Sequence, residues 1–149
     1  MVSDLMRAVL EKNVSFQFQA FGHSMAPFIQ NNDMVTVSPF LSYRLKTGDI
    51  VAAYADRRGV MVIHRIIGVK KDGYILKGDN AKKRDGLFPQ TELIGVVTQV
   101  ARHDRAAWYG GGFWAKKMIA ALSKSGLLGG IILPVLRLLI SRNILYKKK

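Results

Sequence analysis

Residues 60–78, VMVIHRIIGVKKDGYILKG, contain two runs rich in Val and Ile on either side of the turn signal Asp72-Gly73. Residues 15–21 alternate apolar and polar side chains at their start, and short runs rich in Val and Ile occur at residues 34–39, 49–54 and 93–101. Short β-branched runs at this spacing are typical of strands in an antiparallel sheet or barrel. Residues 3–12 have the apolar spacing of a short amphipathic helix. The sequence therefore predicts a mostly β fold with one helix before the strands.

The composition excludes several kinds of chemistry. The 149 residues are enough for one domain with its own core, and an apolar content of 49% argues against disorder. The chain has no cysteine, so disulfides, thiolate metal sites and cysteine nucleophiles are excluded. The three histidines, His23, His64 and His103, are too scattered for a zinc site. We predict no cofactor and no metal.

The positive charge is concentrated near the C-terminus. The net charge is +13, and residues 101–149 contain ten of the 23 basic residues but one of the ten acidic residues. A basic excess beside apolar sequence suits an anionic lipid surface better than a nucleic-acid groove. The chain has no helix-turn-helix or RNA-binding motif. A membrane surface is therefore the predicted partner of residues 113–149, and nucleic acid is not favoured.

The C-terminal third has a different pattern from the strand region. Residues 113–124, FWAKKMIAALSK, predict an amphipathic helix. The longest uncharged run after it, residues 125–136, is shorter than the roughly 18–20 residues that a spanning helix needs. Lying in the membrane interface fits better than crossing it, and docking on the domain is the alternative. We predict a domain at 1–104 and a basic, apolar helical tail at 105–149.

Three segments contain the residue types of a serine hydrolase. Ser24 lies in FGHSMAPFIQNND, residues 21–33, and needs a base and an oxyanion donor to act as a nucleophile. His64 lies in an apolar strand, and Asp79 and Asp85 lie in LKGDNAKKRDGL, residues 76–87. Either aspartate could orient the imidazole. The alternative is a loop serine, a half-buried histidine and two aspartates that cap turns.

Five segments in order resemble the successive boxes of type I signal peptidases. They are GHSMAPFIQNNDMVTV, LKTGDIVAAY, VIHRIIGV, LKGDNAKKRDG and LIGVV, and they cover about residues 16–100. The resemblance is to the histidine branch, which is similar to the endoplasmic-reticulum and archaeal enzymes, among serine peptidases of the S24/S26 type. The lysine branch and the LexA-like repressors have a lysine where this chain has His64.

The resemblance implies a role for each matching residue. Ser24 would be the nucleophile, and its backbone N–H would help to form the oxyanion hole. His64 would be the general base and Asp85 its acidic partner. Asp79 would be the second required aspartate, which holds the loop, and Arg65 would be structural. The implied fold is the antiparallel β fold of signal peptidases and LexA.

Two departures from the family pattern stand out. Asn32-Asp33 replaces the usual Gly-Asp, and Asn tolerates the left-handed conformation that such a turn requires. Residues 3–12 are too short and too charged for the N-terminal transmembrane anchor typical of signal peptidases, so we expect nothing here to carry residues 1–100 across a membrane.

The sequence leads to one main hypothesis and one alternative. The main hypothesis is a signal-peptidase-type serine endopeptidase that removes a leader or signal segment from a precursor through a Ser-His-Asp triad. We expect it at a bacterial or archaeal cytoplasmic membrane, with two versions open: a membrane-bound enzyme that processes exported precursors, which the apolar tail supports, or a cytoplasm-facing peptidase that trims leaders, which the missing anchor favours. The alternative is a peptidase-like binding module that no longer cleaves and is tethered to membrane or nucleic acid.

Overall fold

The segment quoted above, residues 60–78, forms a β-hairpin that carries His64. The computed structural model describes residues 2–40, 43–55, 60–107, 113–127 and 132. Within the hairpin, β4 (Met61–Lys70) turns at Asp72-Gly73 into β5 (Gly73–Lys77). The other elements, in chain order, are α1 (Val2–Glu11), β1 (Phe16–Gln19), β2 (Met34–Ser38), β3 (Ile50–Tyr54), β6 (Gly86–Phe88), a 3-10 turn (Gln90–Glu92), β7 (Leu93–Arg102), β8 (Arg105–Ala106) and α2 (Phe113–Lys124).

The strands form one antiparallel sheet in the order β1-β2-β7-β3-β4-β5-β6, with β8 paired to β7. The prediction of a mostly β, antiparallel fold with helices at both ends is confirmed. The sequence did not indicate β6 and β8, because strands of three and two residues are too short to show alternation.

Two apolar clusters form the core. The first contains the buried side of α1, Met6 and Leu10, packed with residues of β2 and β7 such as Val35 and Val100. The second lies where β3, β4 and β5 meet, and it contains Val51, Ile66 and Leu76. The amphipathic α1 therefore contributes to one cluster, while Leu5 of the same helix stays exposed.

Helix α2 coincides with the helix predicted at residues 113–124 and packs against β4. Ile119, Ala120 and Ser123 are buried there. Lys116 Nζ lies 2.9 Å from Oδ1 of the buried Asp49. A Cβ on Gly48 would lie 2.6 Å from the backbone of Lys116, so the helix and this turn touch closely.

The structure gives no information on the predicted placement of the tail beyond α2. Apart from residue 132, residues 128–149 lie outside the described ones, so their predicted interfacial placement and the division at residue 104 stay predictions. In the portion of the chain that is described, every helix falls short of the length and apolar character needed to span a bilayer.

Candidate active site

An ion pair with a buried carboxylate fixes the loop that carries Ser24. This loop joins β1 to β2, and Arg102 of β7 donates two hydrogen bonds, of 2.8 and 2.7 Å, to the carboxylate of Asp33 at its end. Gln30 N–H donates a further bond of 2.7 Å to the same carboxylate. Burial acts to raise the pKa of Asp33, but these donors outweigh it and hold the pKa below its ordinary value. The Asp33 carboxylate therefore stays charged and anchors the loop to the sheet.

The turn at Asn32 has the predicted conformation. Asn32 has a φ of 71°, in the left-handed region, and its N–H donates to the carbonyl of Ala20 across the loop. Asn32 therefore adopts the left-handed conformation that was expected of this turn.

Ser24, His64 and Asp85 form one chain of hydrogen bonds. Ser24 Oγ lies 3.1 Å from His64 Nε2, and His64 Nδ1 lies 2.6 Å from Asp85 Oδ2. An imidazole that donates from Nδ1 to a carboxylate presents an unprotonated Nε2 to the serine hydroxyl. Ser24 is exposed, whereas His64 is only 7% exposed. The hydroxyl is therefore open to a substrate while the ring is held in place.

Asp79, the other aspartate that the sequence left open, pairs with Arg65. The guanidinium of Arg65 donates bonds of 2.9, 3.1 and 2.8 Å to the two carboxylate oxygens, and Nη1 donates to the carbonyl of Gly48 at 2.9 Å. Both side chains are almost fully buried. Burial raises the pKa of the Asp79 carboxyl, and the guanidinium opposes that rise.

The Arg65–Asp79 pair sits under the loop that carries Asp85. The backbone N–H of Asn80, next to Asp79, donates to the carbonyl of Ser24 at 2.7 Å. The guanidinium of Arg65 also lies over the ring of Phe28 in the Ser24 loop, at 5.3 Å from its centre. The pair therefore ties the two loops of the site to β4, in line with the structural role expected for Arg65.

Gly78 is a residue of the site that the sequence did not single out. A Cβ at this position would lie 2.7 Å from Ser24 O and 3.1 Å from both His64 Nε2 and Ser24 Cβ. Any side chain would therefore push apart the loops that carry Ser24 and Asp85. The sequence Lys-Gly-Asp-Asn could have indicated this glycine, but only its aspartate was considered as a site residue.

Replacing Gly78 by Ala is expected to lower kcat of a reaction that uses Ser24 by about 100-fold, because a shift of about 1 Å in a reacting group has this effect. Initial rates measure it, with thermal unfolding to verify folding. The matched control is Gly68→Ala in β4, where a Cβ would make ordinary contact at 3.5 Å with Ile75. Equal rates for the two variants would contradict the close packing of Gly78 on the site.

Lys77 is a second residue that the sequence reasoning missed. It is buried, its Nζ lies 3.4 Å from Ser123 Oγ of α2, and burial lowers its pKa against the opposing charges of Asp79 and Asp85. A charged residue in a predicted strand is expected to be exposed, and the sequence does not indicate that a helix from the tail covers this one.

An apolar cleft of about 510 Å³ leads to Ser24 and His64. One wall is formed by β1 and the loop after it, and the other by Met61 to His64 of β4. Its apolar lining includes Phe18, Ala20, Met25, Ile29, Met61 and Ile63.

The backbone of β4 is available along this cleft. Ala55 N–H donates to Val60 O, so these two residues form a hydrogen-bonded pair between β3 and β4. Hydrogen-bonded and non-hydrogen-bonded pairs alternate along an antiparallel ladder, and therefore the N–H and C=O groups of Met61 and Ile63 point away from β3. Strand β5 pairs with β4 only from Arg65 onward. In the described ranges, no strand covers the backbone groups of Met61 and Ile63 on the cleft side.

Comparison with known proteins identifies the class. The family model described as Peptidase S24-like matches residues 3–98, in agreement with the antiparallel β fold, and it indicates a serine peptidase-like protein. The match covers more than half of the chain, so the chain belongs to the Peptidase S24-like family. No curated protein matches it. Among the residues with described positions, no cluster of three or more His, Asp or Glu side chains could hold a metal ion.

Proposed function

We propose that the protein is a serine endopeptidase of the signal-peptidase type, which removes a leader or signal segment from a precursor. The observation that carries this proposal is the continuous hydrogen-bonded chain from Ser24 through His64 to Asp85. His64 also supports the histidine branch, because it contacts the serine where the other branch uses a lysine.

The mechanism follows from the roles of the three side chains. Ser24 Oγ attacks the scissile carbonyl while His64 Nε2 takes its proton, and Asp85 stabilises the imidazolium. His64 then gives the proton to the leaving amine, and the peptide C–N bond breaks to leave an acyl-enzyme on Ser24. Water, deprotonated by His64, hydrolyses the ester and restores the serine.

The Ser24 N–H supports the role of oxyanion donor. Within the described part of the chain this N–H has no hydrogen-bond acceptor, although the neighbouring N–H of Ala26 donates to His23 O. An unengaged backbone donor beside the nucleophile is what a developing oxyanion requires.

The cleft supports binding of an extended peptide as an added strand. The backbone N–H and C=O groups of Met61 and Ile63, on β4, lie along the cleft and are not paired with β3. In β1, Ala20 N–H donates to Asp33 O. Because hydrogen-bonded pairs alternate along the ladder, the backbone N–H and C=O groups of Gln17 and Gln19 point away from β2. Backbone pairing on such edges supplies affinity, and the apolar lining selects the side chains that enter.

The predicted contact with a membrane surface stays a prediction. It is supported by the exposed apolar side chains of α2, Trp114 at 79% and Met118 at 66%, together with the exposed Lys124 on the same helix. Such a surface suits an anionic lipid interface.

Labelling with a serine-directed acylating probe tests the proposed nucleophile. We expect one covalent adduct on the wild-type protein, mapped to Ser24 by peptide mass spectrometry and absent from Ser24→Ala. The matched control is Ser15→Ala, because Ser15 is an exposed serine whose Oγ contacts Ser38 Oγ and no histidine. A wild-type protein that stays unlabelled would favour the non-catalytic binding module instead.

A further inference from the structure

The loop between β5 and β6 carries three adjacent cations. Lys82, Lys83 and Arg84 are all exposed, and none of them forms an ion pair within the described residues. The carboxylate that follows them, Asp85, is engaged by His64. The positive charge of this loop is therefore not neutralised by the loop's own acid.

Both ends of the loop are attached to the site. At one end, the N–H of Asn80 donates to Ser24 O at 2.7 Å and its side chain donates to His23 O at 3.1 Å. At the other end, Asp85 accepts from His64. Lys82 is three residues from Asp85, so their Cα atoms lie within about 11 Å of each other. The basic loop thus borders the scissile position.

The basic loop and the apolar cleft are separate surfaces that border the site. The cleft is lined by β1, the Ser24 loop and the start of β4, and residues 78–85 do not line it. A peptide that fills the cleft up to Ser24 has its other half, beyond the bond to be cleaved, outside this apolar lining. The site is bordered by an apolar surface, the cleft, and by a cationic one, the loop with Lys82 and Lys83.

We propose that the loop selects substrates with acidic side chains within about three residues of the scissile bond, on the side that does not occupy the apolar cleft. This inference rests on the proposed peptidase function. Complementary charges at the rim of a site favour the matching partner and steer its encounter. A peptide is favoured over a lipid headgroup because the loop is attached to Ser24 and His64, so its cations act on whatever occupies the site.

A random-sequence peptide library, digested and read by mass spectrometry, tests the proposal without a known substrate. The readout is the ratio of Asp and Glu to Lys and Arg at each position around the cleaved bonds. For the wild type we expect about fivefold enrichment of acidic residues on one side, since an exposed charge pair contributes up to about this factor. The enrichment should vanish in 1 M salt, where the screening length is about 3 Å.

Two charge-reversed variants separate the loop from general charge effects. Lys82→Glu/Lys83→Glu is expected to reverse the preference towards Lys and Arg. The matched control, Lys70→Glu/Lys71→Glu, changes two adjacent exposed lysines at the β4–β5 turn, one strand length away from the loop. It should keep the wild-type preference.

The outcomes distinguish this inference from the proposed function. Cleavage without acidic enrichment, or enrichment retained in Lys82→Glu/Lys83→Glu, overturns the inference alone. Absence of any cleavage by the wild type contradicts the peptidase function and the inference together. If the reversal abolishes binding to phosphatidylglycerol vesicles and leaves the peptide preference unchanged, the loop recognises lipid and the proposal is wrong.

Discussion

Ser24→Ala is expected to lower kcat for peptide cleavage by about 10⁶-fold, and adding His64→Ala should lower it little further. Nucleophile and base act as one unit, so removing either one already removes the covalent route. The geometry behind this expectation is the 3.1 Å contact between Ser24 Oγ and His64 Nε2. A serine and a histidine with separate roles would instead give effects that multiply.

The measurement is single-turnover cleavage by the wild type, the two single variants and the double variant. His23→Ala is the matched control, since His23 is an exposed histidine next to Ser24 that contacts the site through its backbone carbonyl. Its rate should stay within a few-fold of the wild type. Ser24→Ala should also unfold at the wild-type temperature, because the exposed hydroxyl is hydrogen-bonded only to His64 among the described side chains. Multiplicative losses in the double variant would refute the shared role.

Asp79→Ala is expected to destabilise the fold by about 3–5 kcal/mol, because it leaves the buried charge of Arg65 without its partner. For a chain of this size the melting temperature should fall by roughly 10–15 °C. Activity should fall as well, since the pair holds the loop whose N–H donates to Ser24 O. Denaturant unfolding followed by circular dichroism measures the stability.

A double variant and a surface control sharpen this test. Removing both charges, in Arg65→Met/Asp79→Leu, should recover much of the stability, because apolar residues of similar volume replace a buried pair at little cost. Asp72→Ala, in the exposed β4–β5 turn, should change stability by less than about 0.5 kcal/mol. A loss for Asp79→Ala as small as the loss for Asp72→Ala would show that the pair contributes little.

The sequence predicted the features that depend on local pattern. Alternation placed β1, runs rich in Val and Ile placed the other five longer strands, and the 3.6-residue spacing placed α2 at residues 113–124, as observed. The order of the motifs selected Ser24 and His64, which the fold brings into contact across 40 residues of chain.

Features that depend on how loops close in space were not predictable from local pattern. Asp79 and Asp85 lie on one loop with the same residue type, and only the closure of that loop decides which one faces His64. Arg102–Asp33 and Lys116–Asp49 join residues 69 and 67 positions apart, and neither pair has a sequence signature. Gly78 is required by a close approach between two loops, which periodicity does not record.

Because α2 packs against β4, the functional unit extends beyond the residues that the family model matches. The family match ends at residue 98, yet Lys116 reaches the Asp49 turn, whose neighbouring carbonyl at Gly48 accepts from Arg65. A protein trimmed to the family boundary would uncover the β4 surface beneath Ile119 and loosen the far end of the Arg65–Asp79 support. The smallest fragment suitable for enzymology or crystallisation therefore reaches at least residue 124, about a quarter further along the chain than homology alone would suggest.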